Sequence, residues 1–235
     1  MAGRLFLIPS AISDSPIDHV IPGYIKEVVS GIKHYIVENE RTARRMLIRL
    51  GIATPVDDLR FYILNKHTST NEIPGFLEIT KSEDVGLLSE AGVPGVADPG
   101  SEVVMLAHKK NIRVIPLAGP SSILLALMAS GLNGQNFAFV GYLPVKSSDR
   151  IRKIKEIENR SGIENQSQLF IEAPYRNNQM LNDILKTCSS STLLCIAMDL
   201  TNKNEFIQTR PIDHWKKNRP EMNRKPAIFI IHKKN

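Results

Sequence analysis

Residues 85–100 read VGLLSEAGVPGVADPG, and they join a short apolar segment to a loop of small residues and turn formers. The apolar part is typical of a buried strand, and the glycines and prolines after it mark the strand's end. Glycine has no Cβ, so a loop of this composition lets a ligand approach the backbone closely. The stretch therefore predicts a binding site at the end of a strand.

A second stretch also joins an apolar segment to a loop of small residues. The apolar segment Ile112–Ile115 is followed by residues 116–122, PLAGPSS, and then by an apolar helical run from Ile123 to Ser130. Two strand ends thus deliver two loops of small residues, and we expect both loops to reach one crevice.

The first half of the chain alternates strands with helices, which is typical of a mainly parallel sheet covered by helices on both faces. The predicted strands are Leu5–Ile8, Tyr35–Glu38, Phe61–Leu64, Val85–Leu88 and Arg113–Ile115, and the predicted helices are Pro22–Gly31, Arg41–Leu50 and Glu102–Lys110.

The second half predicts a mixed sheet with helices, because its strands follow one another without regular alternation. Strands are predicted at Phe137–Gly141, Gln168–Glu172, Leu193–Met198, Glu205–Thr209 and Ala227–His232, and helices at Ser122–Ser130, Arg150–Glu158, Asn177–Thr187 and Pro211–Lys217. We expect two α/β domains, residues 1–118 and 119–235, with the ligand site in the cleft between them.

The composition indicates a globular protein, and the spacing of its Cys and His residues predicts no metal site. The chain has 235 residues, of which 42% are hydrophobic and 23% charged, enough for a sizeable core. The apolar run Leu5–Ile8 stops at Pro9 and is too short for a signal peptide or a membrane helix, so we expect a cytoplasmic protein that does not bind membranes. Neither Cys188 and Cys195 nor the six scattered histidines have the spacing of a zinc site.

Positive charge is concentrated in the second half. Residues 1–118 contain 13 Lys or Arg and 14 Asp or Glu, whereas residues 119–235 contain 17 and 10. Much of the excess lies in Lys146–Lys155 and His214–Lys225. Such a surface suits a polyanion such as nucleic acid, because phosphate groups release counterions when basic residues neutralise them. A solvated basic face that aids solubility is the alternative.

Eight segments, spread over nearly the whole chain, resemble the tetrapyrrole methylase superfamily of S-adenosylmethionine-dependent methyltransferases in sequence and in order. Within it the chain is most similar to the branch that methylates a cytidine ribose 2′-hydroxyl of small-subunit (16S) ribosomal RNA. The segments are ENERTARR at 38–45, LSEAGVP at 88–94, ADPG at 97–100, PLAGPSS at 116–122, ASGL at 129–132, GYLP at 141–144, FIEAPYR at 170–176 and DLT at 199–201.

The resemblance implies a homodimer whose two-domain subunits bind S-adenosylmethionine in the interdomain cleft and act on ribosomal RNA. Three residues are the catalytic candidates: Glu38 and Glu172 as general base, since a ribose hydroxyl is a poor nucleophile, and Arg41 because it matches an arginine of the family. The implied donor-binding residues are Ser89, Glu90, Ala91, Gly92, Val93, Pro94, Gly119, Ser121, Ser122, Ile123, Glu172, Ala173, Ala197, Met198 and Pro226.

Four departures from the ribosomal RNA branch leave the acceptor open. Residues 9–13 stand where the branch has Gly-Asn, Asn39 replaces an acidic residue, residues 65–71 keep one His of a His-rich segment, and Lys225-Pro226 replaces Gly-Glu. A methyltransferase of the same fold acting on a tetrapyrrole or another small molecule is therefore an alternative. So is a non-catalytic protein that only binds S-adenosylmethionine.

Some of these residues also have structural explanations. Asp98 before Pro99 is a common helix start, and Ser121-Ser122 is a possible cap for the helix that follows. Glu172 at a strand end would need a partner such as Arg176 if it is buried. Arg41 on a helix has the alternative of a solvent-exposed position.

Overall fold

The computed structural model describes residues 2–234, which form two compact units, one ending at Ser121 (unit 1) and one beginning at Ser122 (unit 2). The boundary expected from the sequence lies slightly earlier, between Ala118 and Gly119. Within the described range, every helix is too short or too polar to cross a membrane.

Unit 1 is built on a five-stranded parallel sheet with the order β3-β2-β4-β1-β5. Its central strand β4 is buried along its whole length, as its uninterrupted apolar sequence predicts. The strands are β1 (Leu5–Ile8), β2 (His34–Val37), β3 (Arg60–Ile63), β4 (Val85–Leu88) and β5 (Val114–Pro116).

The helices of unit 1 are α1 (Ile17–Val20), α2 (Tyr24–Ser30), α3 (Glu40–Leu50), α4 (Ile73–Phe76) and α5 (Gly100–Lys109). Helix α3 shows how the sequence sets its ends. Asn39 accepts hydrogen bonds from the N–H groups of Arg41 (2.9 Å) and Thr42 (3.3 Å), and Gly51 ends the helix in the left-handed region at φ +69°. Two apolar clusters form the core of this unit.

Unit 2 has a mixed five-stranded sheet with the order β6-β7-β10-β8-β9, in which β6 and β7 are parallel and the other neighbours antiparallel. Its strands are β6 (Phe137–Tyr142), β7 (Ser167–Ile171), β8 (Leu193–Met198), β9 (Phe206–Pro211) and β10 (Ala227–His232), and its helices are α6 (Ser122–Ser130), α7 (Ser147–Glu164), α8 (Asn177–Thr187) and α9 (Ile212–Lys217). The predicted fold class, two α/β sheets of which the second is mixed, is confirmed.

A buried ion pair fixes α7 against α8. Arg150, 1% exposed, donates from Nε to Asp183 at 2.8 Å and from Nη1 to the carbonyl of Val145 at 2.6 Å. Arg150 belongs to the basic run Lys146–Lys155, which the sequence predicts to be part of a polyanion-binding surface. That interpretation is wrong for this residue, because its charge is consumed inside unit 2.

Candidate functional site

The loops that follow β1, β4 and β5 meet at the carboxyl edge of the unit 1 sheet. Ser10 and Gly92 exchange two backbone hydrogen bonds, with N···O distances of 2.8 and 3.1 Å. The hydroxyl of Ser10 donates to the carbonyl of Ser89 at 2.6 Å, and the hydroxyl of Ser89 donates to the carbonyl of Gly92 at 2.9 Å. The loop 89–95 is therefore held in one shape by its own strand end and by the neighbouring one.

Two glycines of these loops are required for different reasons. Gly92 has φ +73°, a conformation that disfavours side chains, and a Cβ there would lie 3.5 Å from the carbonyl oxygen of Pro120. A Cβ at Gly119 would lie 2.2 Å from the Cβ of Pro9. The space at Gly119 is thus occupied by Pro9, one of the residues that depart from the ribosomal RNA branch.

The donor-binding residues predicted in unit 1 share this edge but differ in exposure. Ser89, Gly92 and Pro94 are buried, Val93, Gly119 and Ser121 are half-buried, and Glu90 and Ala91 are exposed. Because Ser89, Gly92 and Pro94 are buried, the surface offered to a ligand consists mainly of the exposed turn at 90–91 and the loop around Gly119.

Three carboxylates gather at the same edge. Glu38 follows β2 and accepts a hydrogen bond from the backbone N–H of Glu90, while Asp98 accepts from the N–H groups of Gly95 and Gly100, both at 2.8 Å. Burial raises the pKa of Glu38, and the charges of Asp98 and Glu90 raise it further. Burial also raises the pKa of Asp98. In the described chain, neither Glu38 nor Asp98 forms an ion pair.

Asp98 serves the start of α5, as the sequence suggests, although the helix begins at Gly100 rather than at Pro99. Arg41 is exposed on the first turn of α3. Its backbone N–H donates to Asn39, and its side chain has no hydrogen-bond partner among residues 2–234. Sequence reasoning missed Thr42, whose hydroxyl lies 3.0 Å from Oε1 of Glu90. The sequence offers no local signal for this contact, because Thr42 and Glu90 are 48 positions apart.

The predicted donor-binding segments of unit 2 lie side by side at one edge of its sheet. Ile171 at the end of β7 pairs with Ile228 of β10, and Ala227 pairs with Met198 at the end of β8. The register continues past the strands, because the N–H of Asp199 donates to the carbonyl of Pro226 at 3.1 Å. Glu172-Ala173, Ala197-Met198 and Pro226 are therefore neighbours in space, although they are far apart in sequence.

Glu172 is paired as its structural explanation requires. Its side chain is 1% exposed, and Oε1 accepts hydrogen bonds from Nε (2.9 Å) and Nη2 (2.6 Å) of Arg176 and from the N–H of Ala173 (2.7 Å). Its other oxygen, Oε2, is buried and has no hydrogen-bond partner among the described residues. Such an acceptor is rare in a folded protein, so this oxygen is a candidate to accept a hydrogen bond from a ligand.

Asn177, which the sequence analysis did not single out, repeats this pattern. It is fully buried and donates from Nδ2 to the carbonyl of Lys225 at 2.6 Å, while its Oδ1 has no partner in residues 2–234. The contact fixes the residue before Pro226. The other predicted residues of this unit, Ser122 and Ile123, are half-buried at the start of α6.

The described residues contain no group of three or more His, Cys, Asp or Glu side chains placed to hold a metal ion. Cys188 and Cys195 are both buried free thiols, and burial raises the pKa of Cys195 to about 11.

The relatives of this chain include several ribosomal RNA small subunit methyltransferases I. The chain is 29% identical over 233 residues to the ribosomal RNA small subunit methyltransferase I of Escherichia coli O157:H7, covering 97% of this chain and 77% of that protein. It is 27% identical over 210 residues to the protein of the same name from Vibrio cholerae (88% and 70% covered) and 32% identical over 170 residues to that of Xylella fastidiosa (72% and 59% covered). No protein-family model matches.

Solved structures share the fold. The methyltransferase CobJ superposes with a TM-score of 0.63 at 14% sequence identity, covering 98% of this chain and 94% of CobJ. Uroporphyrin III C-methyl transferase from Thermus thermophilus gives a TM-score of 0.58 at 15% identity, covering 98% of each chain. The tetrapyrrole methylase fold is therefore confirmed, and so is the predicted resemblance to ribosomal RNA small subunit methyltransferases.

Proposed function

We propose that this protein is an S-adenosylmethionine-dependent methyltransferase that methylates a ribose 2′-hydroxyl of 16S ribosomal RNA. The observation that carries the proposal is the likeness, over 97% of the chain, to a ribosomal RNA small subunit methyltransferase I. The shared fold supports a methyltransferase in general, and the ribose position is the finer part of the proposal.

The residues present fit S-adenosylmethionine. Its adenosine carries hydroxyl and amino donors, and the unit 2 edge contains the buried acceptor Glu172 Oε2 without a partner. In unit 1 the loop 89–95 is preformed by its contacts with Ser10, which reduces the entropy cost of ligand binding. We propose that the unit 1 loop and the unit 2 edge supply the residues that bind the donor, and that the protein acts as a cytoplasmic homodimer.

S-adenosylmethionine supplies an activated methyl group, so the protein's tasks are to orient the acceptor, exclude water and remove a proton. Glu38 suits the last task, because it is half-buried, its pKa is raised, and its hydrogen bond comes from a backbone N–H. Glu172 suits it less, because Arg176 already neutralises it. We assign Glu38 as the base that accepts the proton of the ribose hydroxyl.

The first test is calorimetric titration of the protein with S-adenosylmethionine and with its demethylated product. Gly92→Ala puts a side chain on a residue with φ +73°, so loop 89–95 has to change its shape, and we expect the variant to weaken binding at least about tenfold. Gly51→Ala is the matched control, since Gly51 has a similar φ of +69° at the far end of α3. Absence of binding to the wild-type protein would reject the proposal.

The second test identifies the acceptor. Small ribosomal subunits and labelled S-adenosylmethionine are incubated with the protein, and the RNA is then hydrolysed in alkali. A 2′-O-methyl group blocks the hydroxyl that attacks the neighbouring phosphate, so the labelled position should resist cleavage. Label on a base would retain the enzyme class but reject the ribose position. In a parallel reaction with an added tetrapyrrole, label on the tetrapyrrole and none on RNA would favour the alternative acceptor.

A further inference from the structure

Two large aromatic side chains lie on the surface of unit 2 beside one arginine. Tyr142 is 60% exposed and Tyr175 is 73% exposed. Aromatic rings are usually buried, because they contribute large apolar areas to a core. Exposed rings that border a predicted site therefore need an explanation.

Both tyrosines belong to the carboxyl end of the parallel pair β6–β7. Tyr142 is the last residue of β6 and pairs with Ile171, the last residue of β7, while Tyr175 follows β7 in a short 3-10 turn. Glu172, one residue beyond Ile171, carries the unpartnered Oε2. The tyrosines thus border the sheet edge at which we place the methyl donor.

The guanidinium of Arg176 is held by two residues, Glu172 and Tyr175. Two of its nitrogens bind Oε1 of the buried Glu172, and its Nη1 donates to the hydroxyl of Tyr175 at 3.2 Å. Its Cζ is 5.2 Å from the centre of the Tyr175 ring. Tyr142 reaches the same sheet edge through its pairing with Ile171, the residue before Glu172. A planar cation fixed beside aromatic rings loses little entropy when a further planar group stacks on it.

We propose that Tyr142, Tyr175 and Arg176 form a stacking platform that binds an unpaired base of the RNA acceptor; the identity of this ligand as RNA rests on the proposed function. Proteins recognise unpaired RNA bases by stacking them on aromatic rings and guanidinium planes, and any base provides a suitable face. The platform holds the nucleotide next to the donor site. In a duplex the faces of the base are covered, so the base cannot stack on the platform.

Charge favours RNA over a second copy of this chain as the occupant. From Gly119 onward the sequence has 17 basic and 10 acidic residues, and the exposed Lys146 follows Tyr142 closely in the chain. RNA phosphates are attracted to this surface, whereas an identical basic surface is repelled. The more apolar exposed pair in this unit, Leu124 (51%) and Met128 (77%) on α6, suits a protein partner better.

The test measures binding of a fluorescein-labelled, mixed-sequence single-stranded RNA, and of the same RNA annealed to its complement, by fluorescence anisotropy. Tyr142→Ala and Tyr175→Ala should each weaken single-strand binding about 5- to 150-fold, the range found when a stacking aromatic is removed. Duplex binding should change less than about twofold, because stacking requires an exposed base face. Tyr142→Phe and Tyr175→Phe keep the rings and should retain most of the affinity.

Phe137→Ala is the matched control, because it removes a ring that is 39% exposed from the opposite end of β6. Equal losses for single strand and duplex, or no loss in the alanine variants, would overturn the platform. A change of oligomeric state in the alanine variants, measured by light scattering, would assign these rings to a contact between copies and also overturn it. Calorimetry with S-adenosylmethionine on the same variants separates the two proposals: intact donor binding with unchanged RNA affinity rejects the platform alone.

Discussion

In unit 2 the carboxylates of Glu172 and Asp183 each lie against an arginine, whereas in unit 1 those of Glu38 and Asp98 accept hydrogen bonds from backbone N–H groups. The arginine partners neutralise the unit 2 carboxylates. In unit 1 burial raises the pKa of Glu38 and of Asp98, and no cation of the described residues lowers either pKa.

This difference assigns the two kinds of carboxylate to different roles. A carboxylate that already shares its charge with an arginine is a poor proton acceptor, and removing its partner leaves a buried charge. A half-buried carboxylate without a cation has a pKa closer to neutral and is better suited to proton transfer. The two sequence candidates for the base, Glu38 and Glu172, are therefore not equivalent.

The largest expected effect is on the rate of methyl transfer. Glu38→Gln keeps the shape of the side chain but cannot accept a proton, so we expect kcat to fall about 100- to 10,000-fold. The comparison variant is Glu172→Gln, which should weaken donor binding but change kcat at saturating donor less than about tenfold. Single-turnover kinetics with small ribosomal subunits and labelled S-adenosylmethionine measures both.

A larger loss of kcat in Glu172→Gln than in Glu38→Gln would contradict the comparison and assign Glu172 in unit 2 as the base. Calorimetry with S-adenosylmethionine on both variants checks that a lower rate reflects lost proton transfer and not lost donor binding.

The second prediction concerns stability and the arginine partner in unit 2. Arg150→Met leaves Asp183 buried without its cation and should lower the free energy of unfolding by about 3–5 kcal/mol. Arg152→Met, which removes the exposed partner of Asp149 on the same helix, should cost less than about 1 kcal/mol. Urea unfolding measures both, and similar losses would show that burial does not decide the cost.

The double variant Arg150→Met/Asp183→Leu is a further check. Removing both charges replaces the ion pair between α7 and α8 by an apolar contact. We therefore expect the double variant to be more stable than Arg150→Met alone.

Most of the fold could be predicted because its strands are apolar and end at clear turn residues. The bounds predicted for β1, β4, β8, β10, α6 and α8 coincide with those observed. Helix α7 extends well beyond its predicted range Arg150–Glu158, because its two ends are polar and carry no apolar periodicity. Helices α1 and α4 were missed, since each has four residues beside or containing a proline.

The site was less predictable, since its contacts depend on strand order. Glu38 and Glu90 are distant in sequence and approach one another because β2 and β4 are neighbours in the sheet. The pairing of Glu172 with Arg176 was within reach, because the two residues are four positions apart. The exposure of Tyr142 and Tyr175 was not, since composition places aromatic residues in a core by default.

The third prediction uses the dependence of stability on pH. The pKa of Glu38 is raised in the folded protein, so its ionisation opposes folding at neutral pH and this cost disappears below the pKa of an unfolded glutamate. Glu38→Gln should therefore be more stable than the wild type at neutral pH, and the difference should vanish as the solution is acidified. Urea unfolding across this pH range measures it. A gain that grows at low pH would contradict the raised pKa.

The control for this behaviour is Glu78, in the same unit. Lys110 and Lys81 lower its pKa to about 2, so its ionisation stabilises the fold and this contribution is lost as the pH falls towards that value. Glu78→Gln should therefore be less stable than the wild type at neutral pH, the opposite sign to Glu38→Gln.

The smallest expected effect tests whether the charge of Glu90 tunes the base. Glu90 raises the pKa of Glu38 by its charge and lowers it through its backbone N–H, and Glu90→Gln removes the charge alone. The acid limb of kcat against pH, which reports ionisation of the base, should move to lower pH. Glu27→Gln on α2, whose charge is not among those acting on Glu38, should leave the limb in place. If Glu90→Gln moves the limb to higher pH or leaves it unchanged, Glu38 is not the titrating base, and the contrast between the two sheet edges does not govern proton transfer.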